Sequence, residues 1–237
     1  MKNIVILTGA GISAESGLQT FRAADGLWHG HKIDDVATPE AYARDPNLVN
    51  EFYNARRRQL SEVKPNEAHL ALAKLVKNWH RGEVLIVTQN VDDLHDRAAK
   101  EYGVPGHLIH LHGELLKARC TKTNFPTEWH GDILPDTVSP FDKTATLRPH
   151  IVWFGEMPFD MDEIYKALLK SSLFLSIGTS GNVHPASSFV EIAKRSGAHT
   201  VEFNIEPSVG NSLFDETRIG KATETVPAYV DELLRNE

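Results

Sequence analysis

Cysteine is nearly absent: one residue, Cys120, stands in 237. A single thiol excludes an intrachain disulfide framework and any four-cysteine zinc site. Basic clustering is also scarce. Asp and Glu outnumber Lys and Arg by 32 to 25, and Arg56-Arg57-Arg58 is the only run of three cations. A nucleic-acid protein concentrates cations on one face, so that partner is not expected. Long apolar runs are missing too. The N-terminal stretch at 4–7 is too short for a signal core or a membrane span, so the expectation is a soluble, cytoplasmic, monomeric protein with no membrane partner. There is no internal repeat and no low-complexity segment. What remains is 41% hydrophobic and 24% charged, enough for a sizeable core in one domain or one domain with an inserted module.

Short apolar runs at 4–7, 84–87, 108–111, 151–154, 173–177 and 201–205 are strand-length, rich in β-branched or aromatic residues, and lack strict polar alternation. That is the pattern of strands covered on both faces. Helical spacing falls between them at 67–79, 162–169 and 185–195, and again at 227–234 with Pro227 near the first turn. The alternation predicts an α/β fold: a Rossmann-like open parallel sheet with helices on both faces. Two stretches break the rhythm. Residues 25–61 read as helix and loop without a strand, and 117–149 are polar and aperiodic. The predicted organisation is a nucleotide-binding domain from 1–24, 67–116 and 150–237, with 25–66 and 117–149 forming a smaller module.

The first strand runs into Gly9-Ala10-Gly11-Ile12-Ser13-Ala14, a G-x-G-x-x-A loop. The first glycine permits a tight turn, the second a close backbone approach to phosphate, and Ala14 close helix packing. A hydride-transfer dehydrogenase places an acidic residue at the end of the next strand, about 20 residues on, to hold a ribose. Here that region reads as loop, so a dinucleotide or ADP-ribose group in a variant of the fold is favoured. The run continues through Glu15, Thr20, Phe21 and Arg22 to Trp28. It resembles the nucleotide-binding signature of the sirtuins, the NAD-dependent protein deacylases. Three further segments match in order: Thr88-Gln89-Asn90-Val91-Asp92-Asp93-Leu94-His95, His110-Leu111-His112-Gly113-Glu114-Leu115, and Gly178-Thr179-Ser180; Asn204-Ile205-Glu206-Pro207 adds a fourth. The resemblance covers nearly the whole chain.

The resemblance implies NAD as cofactor and acyl-lysine proteins as substrates. In the family reaction the acyl-lysine amide oxygen attacks the nicotinamide ribose, nicotinamide leaves, a base activates a ribose hydroxyl, and the acyl group ends on ADP-ribose. His112 matches the base, and an imidazole near pKa 6.5 offers a neutral acceptor at cellular pH. Its partner in the H-x-H pair, His110, receives no role. Asn90 and Asp92 are implied in catalysis, and both also suit helix capping. The implied NAD contacts are Gly9, Ala10, Gly11, Ser13, Glu15, Thr20, Phe21, Arg22, Trp28, Gln89, Asn90, Asp92, Gly178, Thr179, Ser180, Asn204, Glu206 and Ala222. Val152-Trp153-Phe154-Gly155 resembles the segment that pairs with substrate backbone as an added strand, although its aromatics also suit a core. An NAD-dependent protein ADP-ribosyltransferase shares the loop and the base, and is the alternative activity.

Residues 47–60 read as an amphipathic helix with Leu48, Phe52, Arg56 and Leu60 on one stripe. A guanidinium there needs an anionic or hydrogen-bonding partner, or its stem packs while its head reaches water. Tyr53-x-x-Arg56 matches the pair marking class III sirtuins, whose pocket accepts succinyl and malonyl groups, and Ala37 matches the small residue that makes room. By that resemblance Arg56 pairs with the acyl carboxylate and Tyr53 donates a hydrogen bond. Most sirtuins hold a structural zinc with two cysteine pairs. Only Cys120 remains here, and His130, Asp132 and Asp136 show no ligand spacing, so the module is expected to be metal-free and packed on Phe125, Trp129, Ile133 and Leu134.

Overall fold

A computed structural model describes residues 1–19 and 30–235 together with the backbone of 27 and 28. The strands are β1 (Asn3–Thr8), β2 (Leu27–Trp28), β3 (His31–Lys32), β4 (Val84–Thr88), β5 (Leu108–His110), β6 (Gly113–Cys120), β7 (Pro126–Glu128), β8 (Leu147–Ile151), β9 (Ser171–Ile177), β10 (His199–Asn204) and β11 (Glu216–Ile219). The helices are α1 (Ala10–Ser13), α2 (Ile33–Val36), α3 (Pro39–Arg44), α4 (Pro46–Gln59), α5 (Glu67–Asn78), α6 (Leu94–Tyr102), α7 (Met161–Leu168), α8 (Phe189–Arg195) and α9 (Ala222–Arg235).

Six strands form the parallel sheet expected from the sequence, in the order β11-β10-β9-β1-β4-β5. Successive residues of β1 serve opposite faces, as pleating requires. Ile4 and Ile6 pack with Leu72, Leu75, Val226 and Val230 from α5 and α9. Val5 and Leu7 pack with Ile164, Leu168, Phe189 and Val190 from α7 and α8. The helices start where the chain supplies acceptors. Asn66 accepts the Ala68 amide at 3.0 Å, Thr38 the Ala41 amide at 3.0 Å, and Asp45 the Leu48 amide at 3.0 Å. Pro39 and Pro46 occupy first-turn positions, where no amide hydrogen is needed.

Several elements differ from the sequence reading. The stretch 25–61 contains a short hairpin, β2 with β3, and 117–149 contributes to a three-stranded antiparallel sheet, β7-β6-β8. The apolar run at 151–154 is not a strand of the parallel sheet. Strand β8 ends at Ile151 against β6, and the chain then turns at Trp153–Glu156, closed by the Glu156 amide to the Trp153 carbonyl at 2.9 Å. Polar β11 went unread because it is an edge strand. Helix α9 begins a full turn before Pro227, at Ala222. The amide and hydroxyl of Thr223 donate to the Glu15 carboxylate at 3.1 and 2.9 Å, which caps the turn from 208 residues away. In the small sheet Ile133, Ala118 and Leu147 are buried with Trp129 beside them, whereas Phe125 and Leu134 are 60% and 57% exposed. Phe125 meets the Phe141 ring at 5.7 Å, outside that buried cluster.

The carboxyl ends of β1 and β9 meet backbone to backbone. The Gly9 amide donates to the Ile177 carbonyl at 3.0 Å and the Gly11 amide to the Gly178 carbonyl at 2.9 Å. A Cβ on Gly178, where φ is +62°, would lie 2.5 Å from the Ile12 nitrogen. Both the backbone conformation and the space therefore demand glycine. Gly178→Ala is expected to destabilise the protein by about 3 kcal/mol, lowering Tm by about 6 to 12 °C for a chain of this length. An unchanged melting curve would show that this contact can relax.

Candidate active site

A cleft of about 1500 Å3 opens where the parallel strands end and extends over the small module. Ligands bind there in open α/β sheets because loops diverge around a switch in strand order. Here the switch is β1, which follows no neighbour in sequence: β4 lies on one side and β9 on the other. One route of contacts runs the length of the cleft, and its parts are built as follows.

At one end, the turn after β9 presents Gly178, Thr179 and Ser180. The Asn204 carboxamide, at the end of β10, donates to the Thr179 carbonyl at 2.8 Å, and Ser176 and Thr179 hydroxyls lie 3.0 Å apart. Glu202 is 1% exposed and accepts from the Ser208 amide at 3.1 Å and Asn211 Nδ2 at 2.6 Å. It fixes the 205–211 loop that lines this end. The sequence signal for it was a carboxylate inside an apolar strand, Val201-Glu202-Phe203, which burial forces into hydrogen bonds.

Next comes the glycine loop. Helix α1 after it is only four residues long and passes into a 3-10 turn ending at Gly17. The close approach that Gly11 permits is to Gly178 of the neighbouring strand. Gly9, Ala10, Gly11 and Ser13 line the cleft, while Glu15 does not; its carboxylate is held by Thr223.

Beyond β4, the segment 89–92 is tied to that loop. Asn90 Nδ2 donates to the Gly9 carbonyl and to Ser13 Oγ, both at 3.1 Å. Ser13 passes its one hydrogen to Asp92 Oδ2 at 3.0 Å, and Asp92 Oδ1 accepts the Leu94 amide at 3.1 Å. Behind them Thr8 donates to Thr88 at 2.9 Å and receives His95 Nε2 at 3.0 Å, so that nitrogen carries the ring hydrogen. Burial pushes His95 well below an ordinary imidazole and His69 down to about 3, so both rings are neutral. Burial raises Asp92 more than the Leu94 and Ser13 hydrogen bonds lower it.

His112 follows β5. Its Nδ1 lies 3.1 Å from the Gln89 carbonyl, which can only accept, so Nδ1 bears the hydrogen and Nε2 keeps its lone pair. The ring lines the cleft, and burial lowers its pKa against the opposing pull of the Gln89 bond. The His112 carbonyl accepts the Val152 amide at 2.9 Å, and the Ala37 carbonyl accepts the Phe154 amide at 3.0 Å. The 152–155 segment thus spans from the histidine to Ala37, with Phe154 exposed and Trp153 2% exposed. Trp153 is core: Tyr42 lies 5.1 Å away ring to ring, and its Nε1 donates to the Tyr53 hydroxyl at 3.1 Å.

Tyr53 and Arg56 stand on α4 at the far end. Arg56 is half-buried, with its guanidinium 3.3 Å over the Phe52 ring and Nη1 donating to the Phe52 carbonyl. Burial lowers its pKa to about 10, leaving it cationic at neutral pH. Arg57 is the deepest of the three arginines, donating to the Leu115 carbonyl at 2.6 Å and Asn54 Oδ1 at 2.7 Å. Sequence stripes did not reveal it, because the carbonyl that holds its Nε, that of Leu115, comes from β6.

Of the remaining expected residues, Gln89, Glu206 and Ala222 also line the cleft. Thr20, Phe21 and Arg22 lie outside the described residues, as does the Trp28 side chain. Cys120 is buried, and its sulfur accepts the Thr123 amide at 3.5 Å; Asp132 is paired with Arg58 at 2.7 Å. Among the described residues the one trio close enough to share a cation is Asp96, His110 and Glu114, and it excludes Cys120. Lys117 already neutralises Glu114 there at 2.6 Å. The trio therefore lacks the cysteine ligands of a structural zinc site. No helix among the described residues is long and apolar enough to cross a membrane.

A model described as the Sir2 family matches residues 9–185. An NAD-dependent protein deacylase of Vibrio vulnificus (strain YJ016) is 56% identical over 236 residues, 98% of this chain and 94% of that protein. A Sir2 homologue solved with NAD superposes with TM-score 0.87 at 36% identity, covering 99% of this chain and 90% of that one. A mutant Sir2 homologue solved with 2'-O-acetyl ADP ribose gives TM-score 0.87 at 35% identity, covering 99% and 93%.

Asp92 yields a stability test. Its folded pKa is raised, so the folded state binds its proton more readily than the unfolded chain, and ionisation costs stability as pH climbs past the ordinary carboxyl range. Asp92→Asn is expected to raise Tm at neutral pH, with the gain vanishing in acid where Asp92 is itself protonated. A lower Tm for the variant at both pH values would show that the carboxylate is not under a burial penalty.

Proposed function

The chain belongs to the Sir2 family and is an NAD-dependent protein deacylase, and we propose that His112 is its base and that Ala37, Tyr53 and Arg56 adapt its pocket to succinyl and malonyl groups. The cleft suits a dinucleotide in size and in lining: small residues at Gly9 and Gly11, hydroxyls and amides at Thr179, Ser180 and Asn204, and a neutral histidine further along. NAD, when bound, supplies the ADP-ribose that accepts the acyl group as nicotinamide departs. The NAD-facing residues are the glycine loop, Gln89, Asn90, Asp92, Gly178–Ser180, Asn204, Glu206 and Ala222. The outlying members Glu15, Thr20, Phe21, Arg22 and Trp28 belong to the same reading.

His112 is suited to its role by one observation above others. The Gln89 carbonyl locks the tautomer, so Nε2 is the acceptor. Burial keeps that nitrogen unprotonated at cellular pH. Asn90 and Asp92 are held by Ser13, so the pocket is organised before substrate arrives. Val152–Gly155, which leaves β8 and enters the turn at Trp153–Glu156, offers its backbone to the peptide beside Phe154. At the acyl end, Trp153 Nε1 can only donate, so Tyr53 accepts from it and acts as a donor towards its other neighbours. Arg56 adds a cation in a half-buried site beside the Phe52 ring. The module from 25–66 and 117–149 carries the acyl pocket, and we read it as metal-free, joined to the nucleotide-binding domain of 1–24, 67–116 and 150–237.

A charge-assisted hydrogen bond is worth roughly 1.5–3 kcal/mol. Arg56→Met is therefore expected to reduce kcat/KM on succinyl-lysine peptide roughly 10- to 100-fold while changing acetyl-lysine little. Equal losses on the two peptides would remove the specificity reading. His112→Ala is expected to abolish turnover and spare NAD binding. In the wild type, activity should fall in acid with a midpoint below the ordinary imidazole value, because a base of lowered pKa stays unprotonated further down. Turnover in the alanine variant, or an acid limb above pH 6.5, would overturn the assignment.

A further inference from the structure

Glu156 follows the segment that we read as the peptide-binding edge, and it holds more hydrogen bonds than a surface carboxylate has reason to. Its Oε2 accepts from Arg119 Nη2, Arg148 Nη2 and the Trp153 amide, each at 2.9 Å, and its Oε1 accepts Arg148 Nη1 at 2.8 Å. The two arginines come from different strands of the small sheet, β6 and β8. Both also donate to the Ile151 carbonyl, at 2.8 and 3.0 Å. Their side chains are 9% and 12% exposed. Two guanidinium groups, both largely buried, thus meet one carboxylate that is 24% exposed at the cleft wall, with the Ile151 carbonyl sharing the excess positive charge. The Arg148 guanidinium also stacks 3.4 Å over the Trp153 ring, whose other edge reaches Tyr53.

We propose that Glu156, Arg119 and Arg148 form a charge clamp that fixes residues 152–156 for substrate peptide, making the antiparallel sheet a positioning element of the active site. The inference rests on the reading of 152–155 as the peptide edge. Two backbone bonds, Val152 to His112 and Phe154 to Ala37, anchor that edge, and between them the chain turns through Gly155 at φ +92°. Nothing lies within 4 Å of a Cβ placed on Gly155, so packing holds the start of the turn, at buried Trp153, and not its far side. There the Glu156 amide to the Trp153 carbonyl and the clamp hold it. The Glu156 side chain folds back into its own turn to take the Trp153 amide, and the two arginines pin it from the sheet. An amide in place of the carboxylate leaves two cations facing each other across a neutral group. The turn would then open at little cost elsewhere, because among the described residues His112, Asp92 and the glycine loop make no hydrogen bond to Glu156, Arg119 or Arg148. Glu156, Arg119 and Arg148 are accordingly positioning residues.

The test is steady-state kinetics of Glu156→Gln, Arg119→Lys and the double variant, with acetyl- and succinyl-lysine peptides and NAD varied separately. Peptide KM is expected to rise about tenfold with both acyl groups in each single variant, while kcat and KM for NAD stay within about twofold. The double variant should be no worse than the poorer single, as for groups acting as one unit. Parallel losses in kcat and in KM for NAD, matching a fall in Tm, would reduce the clamp to a general structural role. Hydrogen exchange separates the two layers of inference. Peptide should protect the amides of 152–156 in the wild type; no protection overturns the peptide-edge reading and the clamp with it. Protection in the wild type with an unchanged peptide KM in Glu156→Gln overturns the clamp alone.

Discussion

Two backbones touch where β1 and β9 end, and the site is assembled around that contact. Gly11 and Gly178 approach so closely that neither could carry a side chain. This brings the turn at 178–180 beside the glycine loop. Asn90 then reaches the same loop from the other side, through the Gly9 carbonyl and Ser13. Three strand ends are thereby locked together by main-chain and short polar contacts. The sheet supplies their direction, since β1 pairs with β4 and β9 in register from Ile4 through Thr8.

Burial acts on three ionisable groups of the cleft, and its sign differs by chemistry. It raises Asp92, lowers His112 and lowers Arg56. The outcomes are useful in different ways. A histidine depressed by burial is a base with no proton to lose first. An arginine depressed to about 10 remains a cation several units above neutrality, so its charge persists in a partly dry pocket. An aspartate raised by burial carries a penalty that its hydrogen bonds to Leu94 and Ser13, with a smaller contribution from His110, offset in part. Stability is given up at that position to keep a carboxylate inside the site.

The small module does its work through ions and packing. Arg57 joins α4 to β6, Arg58 joins α4 to Asp132, and Arg119 with Arg148 joins the antiparallel sheet to the 152–156 turn. Such cross-element bonds fix the sheet relative to the acyl pocket, a task for which paired cysteines are not present.

How much of this was legible beforehand follows the range of the forces involved. The parallel sheet was readable because its strands, buried on both faces, appear as uninterrupted apolar runs. The G-x-G loop, Asn90 and His112 were readable because each sits in a local motif. The polar strands β7 and β11 were not, since edge and surface strands are stabilised by pairing rather than by composition. Nor was the start of α9, whose cap is Glu15 at the other end of the chain. By itself the sequence determined the fold class, the nucleotide loop and the identity of the chemical groups. Only tertiary structure decided which nitrogen of His112 accepts a proton, that Trp153 is core and a partner of Tyr53, and that Arg57 is more deeply buried than Arg56. Those outcomes depend on a single carbonyl or hydroxyl from a distant segment, and a hydrogen bond between residues far apart in the chain leaves no periodicity to read.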